Sequence, residues 1–213
     1  MNHTEILPAQ NPAAIGRAVE LLGKGELVAF PTDTVYGVGA LASDPQAIAQ
    51  LYVVKGRHEE KAIPILLSDP AQLELVTLEV SEMALRLARR FWPGALTLVL
   101  PRRPSLPREI SAQPTVGVRM PDHPVALRLM RLSGPLAVTS ANLSGGANAI
   151  SAEEVFEQLG GRIPLILDGG GTPGGSPSTV VDCTGAEPRI LRQGPISLEE
   201  IREAIQKEGR SRP

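Results

Sequence analysis

The sequence predicts a mixed α/β fold of the α+β kind, in which helices flank one twisted sheet of parallel and antiparallel strands. Three observations point there. Short apolar runs of strand length alternate with segments whose apolar residues recur at i, i+3, i+4 and i+7, so both periodicities occur in one chain. Gly 21 and Pro 20 among 213 residues supply frequent turns without making the chain low-complexity. A chain of this length buries roughly 70% of its surface in one core, and no internal repeat or break in composition divides it.

Asn11 and Pro12 open a helix that carries Ile15, Val19 and Leu22 on one side, and Gly23 and Gly25 stop it. Residues 27–30 form a short buried strand running into the polar segment Pro31-Thr32-Asp33-Thr34-Val35-Tyr36-Gly37. Ser43, Asp44 and Pro45 start a second helix with Ile48, Leu51 and Tyr52 on a shared face and Gly56 as its stop. Ser81 caps a third, in which Ala84, Leu87, Ala88 and Phe91 follow the helical repeat until Trp92-Pro93-Gly94 breaks it. Residues 96–100 read as a buried strand, 101–114 as a mobile loop containing Pro and Arg, and 116–120 as a further strand. A helix over 124–132 and a strand over 136–138 follow. Ser151 with Glu154 and Ser197 with Glu200 have the capping-box spacing, the first opening a helix that ends at Gly160 and Gly161. Strands over 163–167, 179–181 and 189–191 lie between those two helices. Residues 12–196 make up the domain; residues 197–213 are a C-terminal helix and a basic tail that frays from Lys207 onward.

Composition argues against several classes of function. Lys and Arg total 21 against 23 Asp and Glu, a net charge of −2, so no global field draws the chain to nucleic acid or an anionic membrane. Anion binding must therefore be local. Aromatic residues are 3%, too few for a base-stacking surface. Cys183 stands alone, which removes intramolecular disulfides and Cys-built zinc sites and fits a reducing cytoplasm. The opening residues lack a basic stretch followed by an apolar one, and no apolar run reaches the ~20 residues that span a bilayer. A cytoplasmic protein with no membrane association is expected. Patterns of the G-x-x-x-x-G-K-[ST], G-x-S-x-G, H-E-x-x-H and C-x-x-C types are absent, and His3, His58 and His123 are too scattered to compose a metal site by spacing.

What remains are polar clusters at the ends of apolar strands and helices, where open α/β sheets bind ligands. Thr32, Asp33, Thr34 and Tyr36 either satisfy their own turn or line a pocket for a small polar substrate. Lys55-Gly56-Arg57 complements the dipole of the helix it ends, at about 0.3–1 kcal/mol per charge, or clamps a phosphate with a point charge and a planar fork. Residues 139–146, Thr-Ser-Ala-Asn-Leu-Ser-Gly-Gly, are a strand-exit loop or a nest for an anion. Arg119, and the stretches 178–182 and 190–192, decide nothing alone. The glycine run over 169–176 lacks the lysine and helix start of a nucleotide loop and reads chiefly as a flexible connection, with a cover over a ligand as the lesser alternative.

In order and spacing, segments 31–37, 55–57, 117–121, 139–145, 178–182 and 190–192 together resemble the YrdC/Sua5 family, over residues 12–196. The resemblance implies a YrdC/RibB-like twisted sheet around a central cationic cavity. It also implies an L-threonylcarbamoyladenylate synthase, a nucleotidyltransferase that makes threonylcarbamoyl-AMP and pyrophosphate from ATP, L-threonine and bicarbonate for the t6A modification of tRNA. Position by position, Lys55, Arg57, Ser140, Asn142 and Arg192 are then expected to contact ATP, with Lys55 and Arg57 catalytic as charge stabilisers. Thr34, Tyr36, Arg119, Thr139 and Ser178 are expected to line the threonine pocket. Mg²⁺ is expected to accompany ATP, with no metal held by protein ligands; the implied partners are t6A-pathway proteins and tRNA or double-stranded RNA. The chain departs from the family at His58 and Ala62, where Pro is frequent, and at Leu66 or Leu67, where many members carry a His that helps hold threonine. Two alternatives stay open: an RNA-binding module of the same fold, against which the charge and the scarce aromatics argue, and a related carbamoyl-transfer domain with another substrate.

Overall fold

The computed structural model describes residues 3–56, 61–173 and 176–206. In chain order the elements are β1 (Glu5–Pro8), α1 (Pro12–Gly23), β2 (Val28–Phe30), β3 (Gly37–Leu41), α2 (Pro45–Lys55), β4 (Ile65–Leu66), α3 (Leu73–Val76), α4 (Glu82–Phe91), β5 (Leu96–Pro101), β6 (Thr115–Arg119), α5 (Pro124–Ser133), β7 (Leu136–Ser140), α6 (Ala152–Leu159), β8 (Leu165–Asp168), β9 (Thr179–Asp182), β10 (Arg189–Arg192) and α7 (Leu198–Gln206). Helix starts are set by side chains that accept the orphan amide protons of the first turn. Asn11 Oδ1 accepts from Ala13 N and Asp44 Oδ1 from Ala47 N, both at 3.0 Å, each ahead of a proline at the first helical position. Ser197 and Glu200 form a reciprocal box, whereas Glu154 reaches back one residue further, to Ile150 N. Gly56 ends α2 at φ 59°, where a Cβ would be strained.

The ten strands form one sheet in the order β1-β8-β2-β3-β7-β4-β6-β5-β9-β10. The β1/β8, β8/β2, β4/β6 and β5/β9 pairs are parallel and the others antiparallel, as the sequence predicts for a mixed sheet. Alternation sends side chains to two cores. Ala29, Ala137 and Ile166 join α2, α4, α6 and Ile201 of α7 on one side; Val28, Phe30, Leu136, Val138, Leu165 and Leu167 meet α1 and α5 on the other. That second core takes no described residue of β5, β6 or β9. On those strands Leu96, Leu98, Val116, Val118 and Val181 enter the first core, while the intervening Thr97, Val99, Thr115, Gly117 and Val180 face a cavity. The site exists because one face of half the sheet is left without an apolar helix.

Three strands escape the sequence pattern: β1, β3 with its two glycines, and the two-residue β4. The expected mobile loop over 101–114 is instead folded onto the core. It contains the 3₁₀ turn Arg108–Ile110, buries Leu106 and Ile110, and is held by Tyr52 Oη donating to Glu109 O (2.8 Å) and by Arg102 Nη1 donating to Pro107 O and Ser111 O (3.1 and 3.2 Å). The basic tail from Lys207 lies outside the described residues. Among the described residues no helix is long and apolar enough to cross a membrane.

Candidate active site

The cavity encloses about 430 Å³. Its floor is the uncovered face of β5 and β6, and Gly117 keeps that floor low: a Cβ there would stand 3.2 Å from Thr97 Cγ2. One side is built by the turn leaving β2 and the end of β7, the other by Pro177, Ser178 and β10. Thr34, Tyr36, Arg119, Thr139, Ser140, Ser178 and Arg192, all expected from sequence, line this one space together with Ala62 and Leu66.

Arg119 ends β6 with 6% of its surface exposed. Its Nε donates to Gly94 O (2.9 Å), Nη1 to Thr34 Oγ1 (3.1 Å) and Nη2 to Asp33 Oδ1 (2.5 Å). An arginine has five N–H groups, so two of Arg119's have no partner among the described residues. Burial pulls its guanidinium below the ordinary value, and the Asp33 charge opposes that. The turn that presents these groups is closed by hydroxyls: Thr32 Oγ1 donates to Val35 O (2.7 Å), and Thr34 Oγ1 lies 3.0 Å from Thr32 Oγ1.

Arg192 stands on the opposite side, drawn onto Ser178: Nε and Nη2 donate to Ser178 O (3.1 and 2.8 Å) and Nη2 to Ser178 Oγ (3.2 Å). Ser178 Oγ is in turn 2.8 Å from Thr97 Oγ1. Arg192 is lowered from the ordinary guanidinium value first by partial burial and then by the charge of Arg119. Two cations thus repel each other across a space that no carboxylate lines among the described residues, which is the electrostatic setting for an anionic ligand. Tyr36 is fully buried; its Oη donates to Gly170 O (2.7 Å) and accepts from Gly169 N (3.3 Å), and burial pushes the phenol up to about 12. It is a neutral wall at physiological pH.

Lys55 and Asn142 lie behind the lining. Lys55 is 2% exposed, and its Nζ donates to the carbonyls of Ser140 and Asn142, with Asn142 Oδ1 at 3.5 Å. Asn142 Nδ2 donates to Leu143 O and Gly146 O, both at 2.8 Å. The pair expected to touch phosphate directly is engaged in folding the loop after β7, because buried carbonyls need donors. Arg57 and His58 lie outside the described residues.

Sequence reasoning missed Thr97, Ser111, Gln113, Thr115 and Asn148, which also line the cavity, and the bond between Asp33 and Arg119. A lone hydroxyl between the apolar residues of a strand, as in Leu96-Thr97-Leu98, was the available signal for the first. Among the described residues no three His, Cys, Asp or Glu side chains cluster as metal ligands.

A mixed sheet whose open face bears a cavity lined by two arginines and small polar groups defines the class, an α/β domain with a ligand-sized site on its sheet. A family model described as "Telomere recombination", covering Sua5, YciO and YrdC, matches residues 20–194, and the chain belongs to this family. It is 46% identical over 198 residues to a threonylcarbamoyl-AMP synthase of Bacillus subtilis, covering 92% of this chain and 57% of that relative. A relative from Mycobacterium tuberculosis is 44% identical over 199 residues, covering 93% and 92%. A solved structure of Pyrococcus abyssi Sua5 complexed with L-threonine superposes with a TM-score of 0.88 at 44% identity, covering 96% of this chain and 60% of that one. The chain therefore spans little more than half the length of the Bacillus and Pyrococcus relatives.

Proposed function

We propose that this protein is a threonylcarbamoyl-AMP synthase, an enzyme that adenylylates a carbamate of L-threonine at the expense of ATP. The observation that carries the reading is the pair Arg119 and Arg192 on one cavity whose lining, among the described residues, offers hydroxyls but no carboxylate. Two cations with Asp33 as counter-charge suit two anionic substrates held side by side. The name of the Bacillus relative and the threonine held by the Pyrococcus protein support the choice of chemistry.

In this reading the threonine carboxylate takes the two uncommitted N–H groups of Arg119, a two-pronged contact that fixes direction as well as charge. Thr34, Thr139 and Ser178 surround the rest of the amino acid, and Tyr36 closes the wall. The amine of threonine bonds to the carbon of CO₂ delivered by bicarbonate and loses a proton, giving a carbamate. A carbamate oxygen then bonds to the α-phosphorus of ATP as the bond to the bridging oxygen breaks and pyrophosphate leaves. Such transfer depends on positioning and charge neutralisation rather than on a protein nucleophile, which accounts for the missing catalytic motifs. Arg192 and Ser140 hold the triphosphate, joined by Arg57 on the strength of its motif. Lys55 and Asn142 serve the nucleotide through the loop they fold. Mg²⁺ arrives with ATP as part of the substrate, and no step is assigned to it. A cytoplasmic location, with tRNA and t6A-pathway proteins downstream, belongs to the same proposal.

The test is pyrophosphate release from ATP. The proposal expects release that needs both L-threonine and bicarbonate. Release indifferent to threonine points to a different carbamoyl acceptor, and RNA binding without ATP turnover points to a binding module; either result overturns it.

A further inference from the structure

Asp33 does not line the cavity, yet it makes the shortest contact of the arginine that does. Its Oδ1 lies 2.5 Å from Arg119 Nη2, and the two side chains are 14% and 7% exposed. The other two anchors of Arg119, Gly94 O and Thr34 Oγ1, are neutral. An arginine this deeply buried pays for desolvation, and Asp33 is the carboxylate that compensates it. We propose that Asp33 is a positioning residue for the amino-acid substrate: it fixes the plane of the Arg119 guanidinium so that the two uncommitted N–H groups point at the carboxylate. This inference rests on the reading of the cavity as a threonine site.

Two effects of removing Asp33 oppose each other. Losing a negative charge beside the site lowers repulsion toward an incoming carboxylate and favours binding. Losing one of three anchors lets the guanidinium turn, so the donors no longer present a fixed fork, and a misdirected charged hydrogen bond weakens steeply with angle. Geometry wins here because the carboxylate already sits on Arg119 and its charge is balanced by it, leaving little net repulsion to remove. Substrate affinity therefore falls.

The experiment is calorimetric titration of L-threonine and, separately, of ATP into the full chain, for wild type, Asp33→Ala and Asp33→Asn, with melting temperatures alongside. Asp33→Ala is expected to weaken threonine binding at least tenfold while ATP affinity stays within threefold. Asp33→Asn, which keeps an acceptor oxygen at the same reach, is expected to recover most of the loss. Threonine binding to Asp33→Ala that equals or exceeds wild type overturns the proposal, as does an equal loss of threonine and ATP affinity, which marks general damage to the strand exit. A wild-type chain that binds no threonine overturns the functional reading itself, a result distinct from either.

Discussion

Replacing Lys55 by methionine keeps the length of the side chain and removes its charge and donors. In the folded protein that ammonium donates to at least two carbonyl oxygens, those of Ser140 and Asn142, from a position 2% exposed. Hydrogen bonds from a charged group contribute about 1.5–3 kcal/mol each, so these two together contribute about 3–6 kcal/mol. Release from the cost of burying an ammonium offsets part of this, leaving about 2–4 kcal/mol. For a chain of this size that corresponds to a fall in melting temperature of roughly 4–16 °C, at about 2–4 °C per kcal/mol. The assay is a thermal melt of the ligand-free variant, paired with ATP titration. A tether predicts that the melting temperature drops before any nucleotide is added. A variant that melts within a degree of wild type and loses only ATP affinity refutes the tether and makes Lys55 a direct phosphate contact.

Two further outcomes follow from local environments. His123 precedes α5 with Nδ1 buried and without a hydrogen-bond partner among the described residues, and burial holds its imidazole below the ordinary 6.5, with Asp33 and Asp122 opposing. Because the folded value is depressed, its share of stability is complete above pH 6.5 and is lost as pH falls through that lowered value. His123→Asn should thus gain in urea midpoint relative to wild type as pH is lowered from 7 toward 5, and parallel curves would contradict this. Gly37→Ala places a Cβ 2.7 Å from Val138 Cγ1 on the neighbouring strand. Overpacking of that kind costs typically 1–3 kcal/mol, read as a lower urea midpoint; an unchanged midpoint would show that Val138 gives way freely.

How much of this was legible depends on how local the determinants are. Asn11, Asp44, Ser81 and Ser151 cap helices through bonds two or three residues away, so four boundaries can be read from short stretches of sequence. The two-face alternation of β2, β7 and β8 does not declare itself, since both faces are apolar. β3 is hidden for a sharper reason: Gly37 and Gly39 are poor strand formers in isolation, and only the approach of Val138 across the sheet shows why they are there. β1 finds its partner β8 about 160 residues later, a distance no window sees. The site was legible as six motifs whose order matches a family. Which of their members touch the cavity was not. Lys55 and Asn142 carry the residue types of a phosphate site but are turned toward backbone carbonyls, a fact of tertiary placement. Asp33, seen in sequence as one more polar turn residue, finds its task only when β6 brings Arg119 alongside.

Titration of L-threonine into Arg119→Met measures the main claim, that this buried guanidinium anchors the amino acid beside a separately held nucleotide. Loss of a charged two-pronged contact predicts threonine binding weakened at least ~100-fold, the scale of about 3 kcal/mol for hydrogen bonds to a charged group, with ATP affinity nearly unchanged. Wild-type threonine affinity in that variant would place the amino acid elsewhere and contradict the account.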